Sequence, residues 1–322
     1  MKIFVTGSTG VVGRRLVPLL RYAGHDVTAV ARSAAGRERL ARLGARPIDL
    51  DLFDARAIGH AVTDHDALVN LATHIPHSTA QMFLPSTWRE NDRLRREASA
   101  ALAAGCLAAG VPRFVQESFA PVYPDCGDRW IDETVPIKPV RYNRTVADAE
   151  ASAEGFTESG RVGIVLRFGA FYGADAFQTV DFIKWVRKGW APMPGPTTSY
   201  ISSVSHDDAA NAAAAALALP PGVYNVVDDE PLTHQVFFDS LASALGVAPP
   251  RFPPAWLTPL FGSLAEMAAR SLRISNQKLR AACGWIPNHR SVREAWPSLV
   301  AEVRAAQPGR ARSDSRSGAL SR

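Results

Sequence analysis

Apolar residues follow two alternating rhythms along this chain. Short runs at residues 2–6, 27–31, 47–50, 67–71, 113–115 and 162–167 have the length and β-branched content of buried strands. Between them, residues 12–23, 35–43, 55–62, 88–109 and 142–159 space their apolar positions as helices do. Alternation of this kind predicts an α/β fold of the Rossmann type, a doubly wound parallel sheet with helices on both faces. Pro18 falls inside the first helix and is expected to kink it or end a turn there. Gly44, Gly110 and Gly160 sit where helices should stop. After Phe168 the rhythm loosens, and Gly, Pro and aromatic residues cluster over 189–200. A helix at 207–219, a strand at 223–227 and a helix at 233–245 follow. Pro249, Pro250, Pro253 and Pro254 then lead into an apolar helix at 257–272. The pattern predicts a first domain over 1–168, joined by sheet and helix elements around 200–230. A smaller C-terminal substrate lobe covers 169–306, and a disordered tail covers 307–322.

The first strand runs into three glycines at three-residue spacing, Gly7, Gly10 and Gly13, and then a helix and a second strand. That context gives the spacing a chemical meaning. Gly7 permits a sharp turn out of the strand, Gly10 lets the backbone approach a pyrophosphate, and Gly13 lets helix and sheet pack closely. The backbone N–H groups of the turn, Gly7, Ser8, Thr9, Gly10, Val11, Val12 and Gly13, would hold the phosphate charge at the helix start. We expect a dinucleotide-binding turn.

Composition narrows the class. The chain has 322 residues, 47% of them hydrophobic, enough for a substantial core. The first strand begins at once, so no signal peptide is expected, and no apolar run reaches membrane-spanning length. Cys106, Cys126 and Cys283 are widely spaced and odd in number, which suits reduced thiols in a cytoplasmic protein and no metal site. The net charge of +5 is concentrated at one end. Arg310, Arg312, Arg316 and Arg322 against Asp314 give the tail +3, leaving +2 for the rest. That distribution, with no interleaved basic and aromatic face, argues against nucleic acid.

Eight short motifs resemble those of the extended and atypical short-chain dehydrogenases/reductases, the NAD-dependent epimerase/dehydratase group. They are TGSTGVVG at 6–13, Leu50-Asp51-Leu52, Val69-Asn70-Leu71-Ala72, Leu166-Arg167, Tyr172-Gly173, His206-Asp207-Asp208-Ala209, Val223-Tyr224-Asn225-Val226, and Gly284-Trp285-Ile286-Pro287. The resemblance implies a nicotinamide dinucleotide and a dimer through the two long helices at 88–109 and 142–159. It also implies that Asp51 accepts from the adenine amino group and Leu52 packs beside the ring. Leu71, Ala72, Thr73 and Phe168 would lie along the ribose and nicotinamide. Relatives that prefer NAD carry an acid at the end of the second strand. Here Ala31 fills that place and Arg32-Ser33 follow. An arginine and a hydroxyl attract a 2′-phosphate, so NADP(H) is expected over NAD(H).

The resembling enzymes use a serine or threonine, a tyrosine and a lysine. The lysine lowers the tyrosine pKa, the tyrosine passes a proton, and the serine holds the reacting oxygen. Tyr142 stands at the tyrosine position, but the lysine position is Val146 and the serine position is Phe119. Candidate substitutes are Ser118, Tyr123, His74, His77, Lys138, Arg141 and Arg144; Arg144 should face away from Tyr142. Asn91 and Arg95 share a face of the long helix, and either can reach the site. Expected substrate walls are Ile75, Pro76, Met82, Trp88, Phe119, Phe171, Phe177, Trp185, Trp190, Met193, Tyr200 and Trp256, with helical Trp185 the strongest candidate for plain core. An aromatic set with few charges favours a small, apolar substrate over a nucleotide sugar. The expected activity is NADP(H)-dependent oxidation or reduction of a small, apolar carbonyl or alcohol with a rearranged proton donor. A non-redox lyase, isomerase or cyclase that keeps the dinucleotide as scaffold, and a non-catalytic NADP(H) sensor, remain alternatives.

Overall fold

The computed structural model describes residues 1–76 and 78–306. His77 and the tail expected at 307–322 lie outside the described residues. Seven parallel strands form one sheet in the order Gly222–Val226, Val162–Phe168, Arg113–Phe119, Ala67–Asn70, Lys2–Thr6, Asp26–Val30, Arg46–Ile48. The chain order reverses beside Lys2–Thr6, so the crevice at its carboxyl end is where an open α/β sheet binds ligands. Both faces of the sheet are covered. On one face Leu16, Val17 and Leu20 pack with Ala209 and Ala213. On the other, Ile58, Leu102, Cys106 and Phe156 pack against Phe4 and Phe114. Burial on two sides is why these strands read as continuous apolar runs rather than alternating ones.

A third cluster joins the helices Phe177–Arg187, His234–Leu245 and Val292–Ala305. Its centre is aromatic. Phe237 meets Phe238 at 5.0 Å and Trp296 at 5.3 Å, both edge-on, the geometry that the ring quadrupoles favour.

Four local expectations need correction. The helix Gly13–Tyr22 runs through Pro18 unbroken, because its buried stripe of Leu16, Val17 and Leu20 outweighs one missing backbone hydrogen bond. The expected helix at 257–272 is two pieces, a 3-10 turn at Ala255–Phe261 and a helix at Gly262–Ala269. Gly262 has φ 71°, a left-handed conformation that ends one and starts the other. Leu260 and Phe261 are exposed at 74% and 54% rather than packed. The long helix at 88–109 changes to π geometry over Leu94–Ala98, between Arg89–Arg93 and Ser99–Ala108. Finally, the helix expected from residue 142 begins at Val146, and Tyr142 lies in a preceding 3-10 turn, Arg141–Asn143. Buried Asn143 explains the delay. Its Oδ1 accepts from the Val140 N–H at 2.9 Å and its Nδ2 donates to the Pro121 carbonyl at 2.8 Å, which pins the turn to the end of the fifth strand.

Candidate active site

At the end of Lys2–Thr6 the chain turns through Gly7 at φ 64°. A side chain there would run into the Leu71 carbonyl, and one on Gly13 would collide with the Gly7 carbonyl. At Gly10 only the Gly7 carbonyl, 3.1 Å from an added Cβ, would be met. Gly10 also donates its N–H to that carbonyl at 3.0 Å, closing the turn. Ser8 faces inward, its hydroxyl donating to the carbonyls of Val5 (2.9 Å) and Val30 (3.2 Å), and leaves only its backbone to a ligand. The result is a backbone cradle that larger residues would fill, as a pyrophosphate requires. Arg14 pairs with Asp175, and Arg15 holds Asp175 at 3.0 Å and Asp207 at 2.5 Å, so the carboxylate opposite the turn is neutralised. His206 bonds Asp175 at 2.9 Å, and burial with two arginines nearby pushes its pKa down to about 4.

At the second strand's end Arg32 is exposed on the cavity wall. Ser33 caps the helix Ala34–Arg42 by accepting from the Gly36 N–H at 3.0 Å. Arg37, which sequence reading passed over, donates to the carbonyls of Ala31 and Arg32 and to Asp49, bracing this edge. Asp51 and Leu52 lie beyond the third strand and outside the cavity wall; Asp51 accepts from the Phe53 N–H at 3.0 Å. Asn70, where the family has histidine, accepts from Thr6 Oγ1 at 2.6 Å and from the Ala72 N–H at 3.2 Å, fixing the fourth strand's exit.

One cavity of about 990 Å³ runs from the glycine turn to the C-terminal cluster. Gly7, Gly10, Val11, Val12, Gly13, Arg32, Leu71, Thr73 and Phe168 line one end. His74, Tyr142 and the aromatic wall also line the cavity. Every wall residue expected from sequence lines it except Trp256, which is 74% exposed elsewhere. Trp185, the expected core residue, is 45% exposed and on the wall, because it lies on the outer side of its helix.

The catalytic candidates separate. Tyr142 stacks edge-on against Trp88 at 4.7 Å, and among the described residues its hydroxyl has no hydrogen-bond partner. Burial and Asp92 push its pKa up, while the Arg95 charge opposes them. His74 is on the wall, its N–H donating to Asn91 Oδ1 at 2.9 Å. Ser118 and Tyr123 are fully buried behind the wall. Ser118 donates to Glu150 at 2.5 Å; Tyr123 donates to Asn225 Oδ1 at 2.8 Å and accepts from Arg167 at 2.6 Å. Lys138, Arg141 and Arg144 are exposed and off the wall, and Val146 is fully buried.

Sequence reading missed Glu117, a carboxylate inside the fifth strand. It lies on the cavity wall with Arg95, whose Nη2 donates to it at 3.4 Å; their side chains are 12% and 7% exposed. Burial and the neighbouring Glu150 push the Glu117 pKa up, against the pull of Arg95. The signal available was an acid in the otherwise strand-like run 113–119. Among the described residues no three metal-binding side chains gather, and no helix is long and apolar enough to cross a membrane.

The model of the NAD dependent epimerase/dehydratase family matches residues 3–226. A 3-diazoavenalumate denitrifying reductase of a Streptomyces species is 32% identical over 91% of this chain and 98% of its own length. A ketoreductase of Stigmatella aurantiaca acting on 4-hydroxy-2-methyl-3-oxo-4-farnesyl-3,4-dihydroquinoline-1-oxide is 29% identical over 77% of this chain and 74% of its own. Among solved structures, human epimerase family protein SDR39U1 with NADPH superposes at a TM-score of 0.77. It is 21% identical and covers 94% of this chain and 99% of that one.

Proposed function

The chain belongs to the NAD dependent epimerase/dehydratase family, and from that premise we propose that it is an NADP(H)-dependent reductase of a small, apolar carbonyl compound. The observation that carries the reading is the single cavity joining the glycine cradle, Tyr142 and an aromatic wall. In this reading residues 1–168 hold the dinucleotide and 169–306 shape the substrate side. Backbone N–H groups of residues 7–13 take the pyrophosphate. Arg32 and the Ser33 hydroxyl take a 2′-phosphate, with Arg37 bracing the strand end beneath them. Leu71, Ala72, Thr73 and Phe168 flank the ribose and nicotinamide. When bound, the reduced nicotinamide supplies hydride. Tyr142 supplies the proton, and His74, on the same wall, orients the acceptor. Phe119, in place of serine, adds apolar surface and no hydroxyl, which suits an apolar acceptor. The Stigmatella ketoreductase supports a carbonyl substrate.

A diazo acceptor is the second reading, favoured by the likeness to the Streptomyces enzyme and by Val146. Hydride added to a diazonium group leaves a C–H bond and N₂, with no oxygen to protonate. Such a site has less need of the lysine.

Arg32→Asp tests the cofactor assignment. NADPH affinity should fall by about tenfold or more, the scale of a charge-assisted hydrogen bond, while NADH affinity changes little. Equal losses for both nucleotides in fluorescence titration overturn the 2′-phosphate assignment.

A further inference from the structure

We propose that Arg95 and Glu117 are positioning residues that replace the missing lysine, Arg95 holding the Tyr142 phenolate and Glu117 resupplying its proton. The proposal rests on the carbonyl-reductase reading above.

Three observations place this unit. Val146, at the family's lysine position, is fully buried and carries no charge. Arg95 comes to the cavity wall on the π segment Leu94–Ala98, where one extra residue per turn re-aims a side chain. Its bonding is incomplete. The contact to Glu117 is long at 3.4 Å, and Arg95 Nε, Glu117 Oε2 and Asn91 Nδ2 are all buried without partners among the described residues. Buried polar groups are rarely left so, and a catalytic role is one of the reasons such a group persists.

The charges near Tyr142 are Arg95 and Asp92 from the long helix; those near Glu117 are Arg95 and Glu150. Asp92 is tied to Thr145 Oγ1 at 2.8 Å. Glu150 is held by Arg167 at 2.6 Å. Arg95 is therefore the cation left to act on the phenol. Burial favours the neutral acid of Glu117, which makes it a proton source beside a permanent cation.

In the step, hydride adds to the carbonyl carbon while the Tyr142 O–H bond breaks and its proton goes to the carbonyl oxygen, completing the alcohol. Arg95 stabilises the phenolate. Glu117 then returns a proton to Tyr142 and is itself reprotonated by water, its carboxylate paired with Arg95 meanwhile. The net consumption is one hydride and one solvent proton.

The test compares Arg95→Met, Arg95→Lys and Glu117→Gln. The first readout needs no turnover. Tyrosinate absorbance of the unliganded protein is titrated with base, and the contribution of Tyr142 is isolated by difference from Tyr142→Phe. Arg95→Met should move that ionisation to higher pH, and Arg95→Lys should return it towards the parent. The second readout is kinetic. Arg95→Met should lower kcat about a hundredfold with NADPH affinity nearly unchanged, and lysine should restore part of it. In the parent, kcat should fall as Glu117 ionises with rising pH, and Glu117→Gln should be slower and lack that fall. An unmoved Tyr142 titration in Arg95→Met overturns the proposal; if that variant does not fold, a Glu117→Gln profile identical to the parent's does so. Absence of any turnover with carbonyl compounds in the parent instead overturns the reductase reading, since the titration stands without it.

Discussion

Two arginine–glutamate pairs are buried around the strand Arg113–Phe119, and they are built differently. Adjacent residues serve them, Ser118 one and Glu117 the other, and successive side chains leave a strand on opposite faces. Arg167 and Glu150 form a forked pair at 2.8 and 2.6 Å, and the third arginine nitrogen donates to Tyr123 at 2.6 Å. Ser118 completes the carboxylate. Arg95 and Glu117 share one 3.4 Å contact and leave an orphaned atom on each side. The first pair is behind the cavity wall and the second is on it. Burial alone does not distinguish a structural charge from a working one; the completeness of its hydrogen bonding and its access to a cavity do.

The largest effect should come from breaking the complete pair. Glu150→Ala leaves Arg167 buried without its counter-charge and Ser118 without its acceptor. Removal of one partner of such a pair costs about 3–5 kcal/mol. Urea unfolding at neutral pH should show that loss. A loss under about 1 kcal/mol would mean that water reaches Arg167 and that the two pairs are not different in kind.

The same contrast explains what could be read from the sequence. The glycine turn was legible because its three glycines, strand and helix are contiguous, so spacing carries the geometry. The aromatic wall was legible as a composition of the loops after each strand. The fifth strand was read as 113–115 because Gln116, Glu117 and Ser118 interrupt the apolar pattern, although all belong to the strand. They are polar because side-chain networks cross there. Neither ion pair was visible, since Arg95 meets Glu117 across 22 residues and Arg167 meets Glu150 across 17. Tyr142 was placed on a helix because residues 142–159 space their apolar positions as a helix does. Asn143, bonded to Val140 and Pro121, holds that stretch as a 3-10 turn instead.

His234 extends the comparison to a neutral group. It lies on the cavity wall, 1% exposed, with Nδ1 unpartnered, and burial pushes its pKa down from 6.5 to about 4. The unfolded chain therefore binds a proton below pH 6.5 that the fold refuses until about pH 4. Stability should fall as pH drops through that window and level off below it. The contribution is up to roughly 3 kcal/mol, from 1.36 kcal/mol per pKa unit. Urea unfolding at pH 7 and near pH 4.5 should show a smaller acid loss in His234→Gln than in the parent. An equal loss would mean that the imidazole is already satisfied when charged, and would remove it from the set of incomplete wall groups.

The smallest stability effect should follow the most drastic change at the wall. Replacing both members of the incomplete pair, Arg95→Met with Glu117→Leu, removes a desolvated cation and a buried acid that recover little from a single long contact. Apolar groups of similar volume in such a place are often neutral or stabilising. Unfolding free energy should stay within about 1 kcal/mol of the parent, or rise, while turnover is lost. The matching change behind the wall, Arg167→Met with Glu150→Leu, strands Ser118 and removes a donor to Tyr123, so it should cost several times more. If the two double substitutions cost the same, Arg95 and Glu117 are part of the scaffold. If only the second is costly, the fold carries the wall pair at the expense of stability and retains it for what enters the cavity.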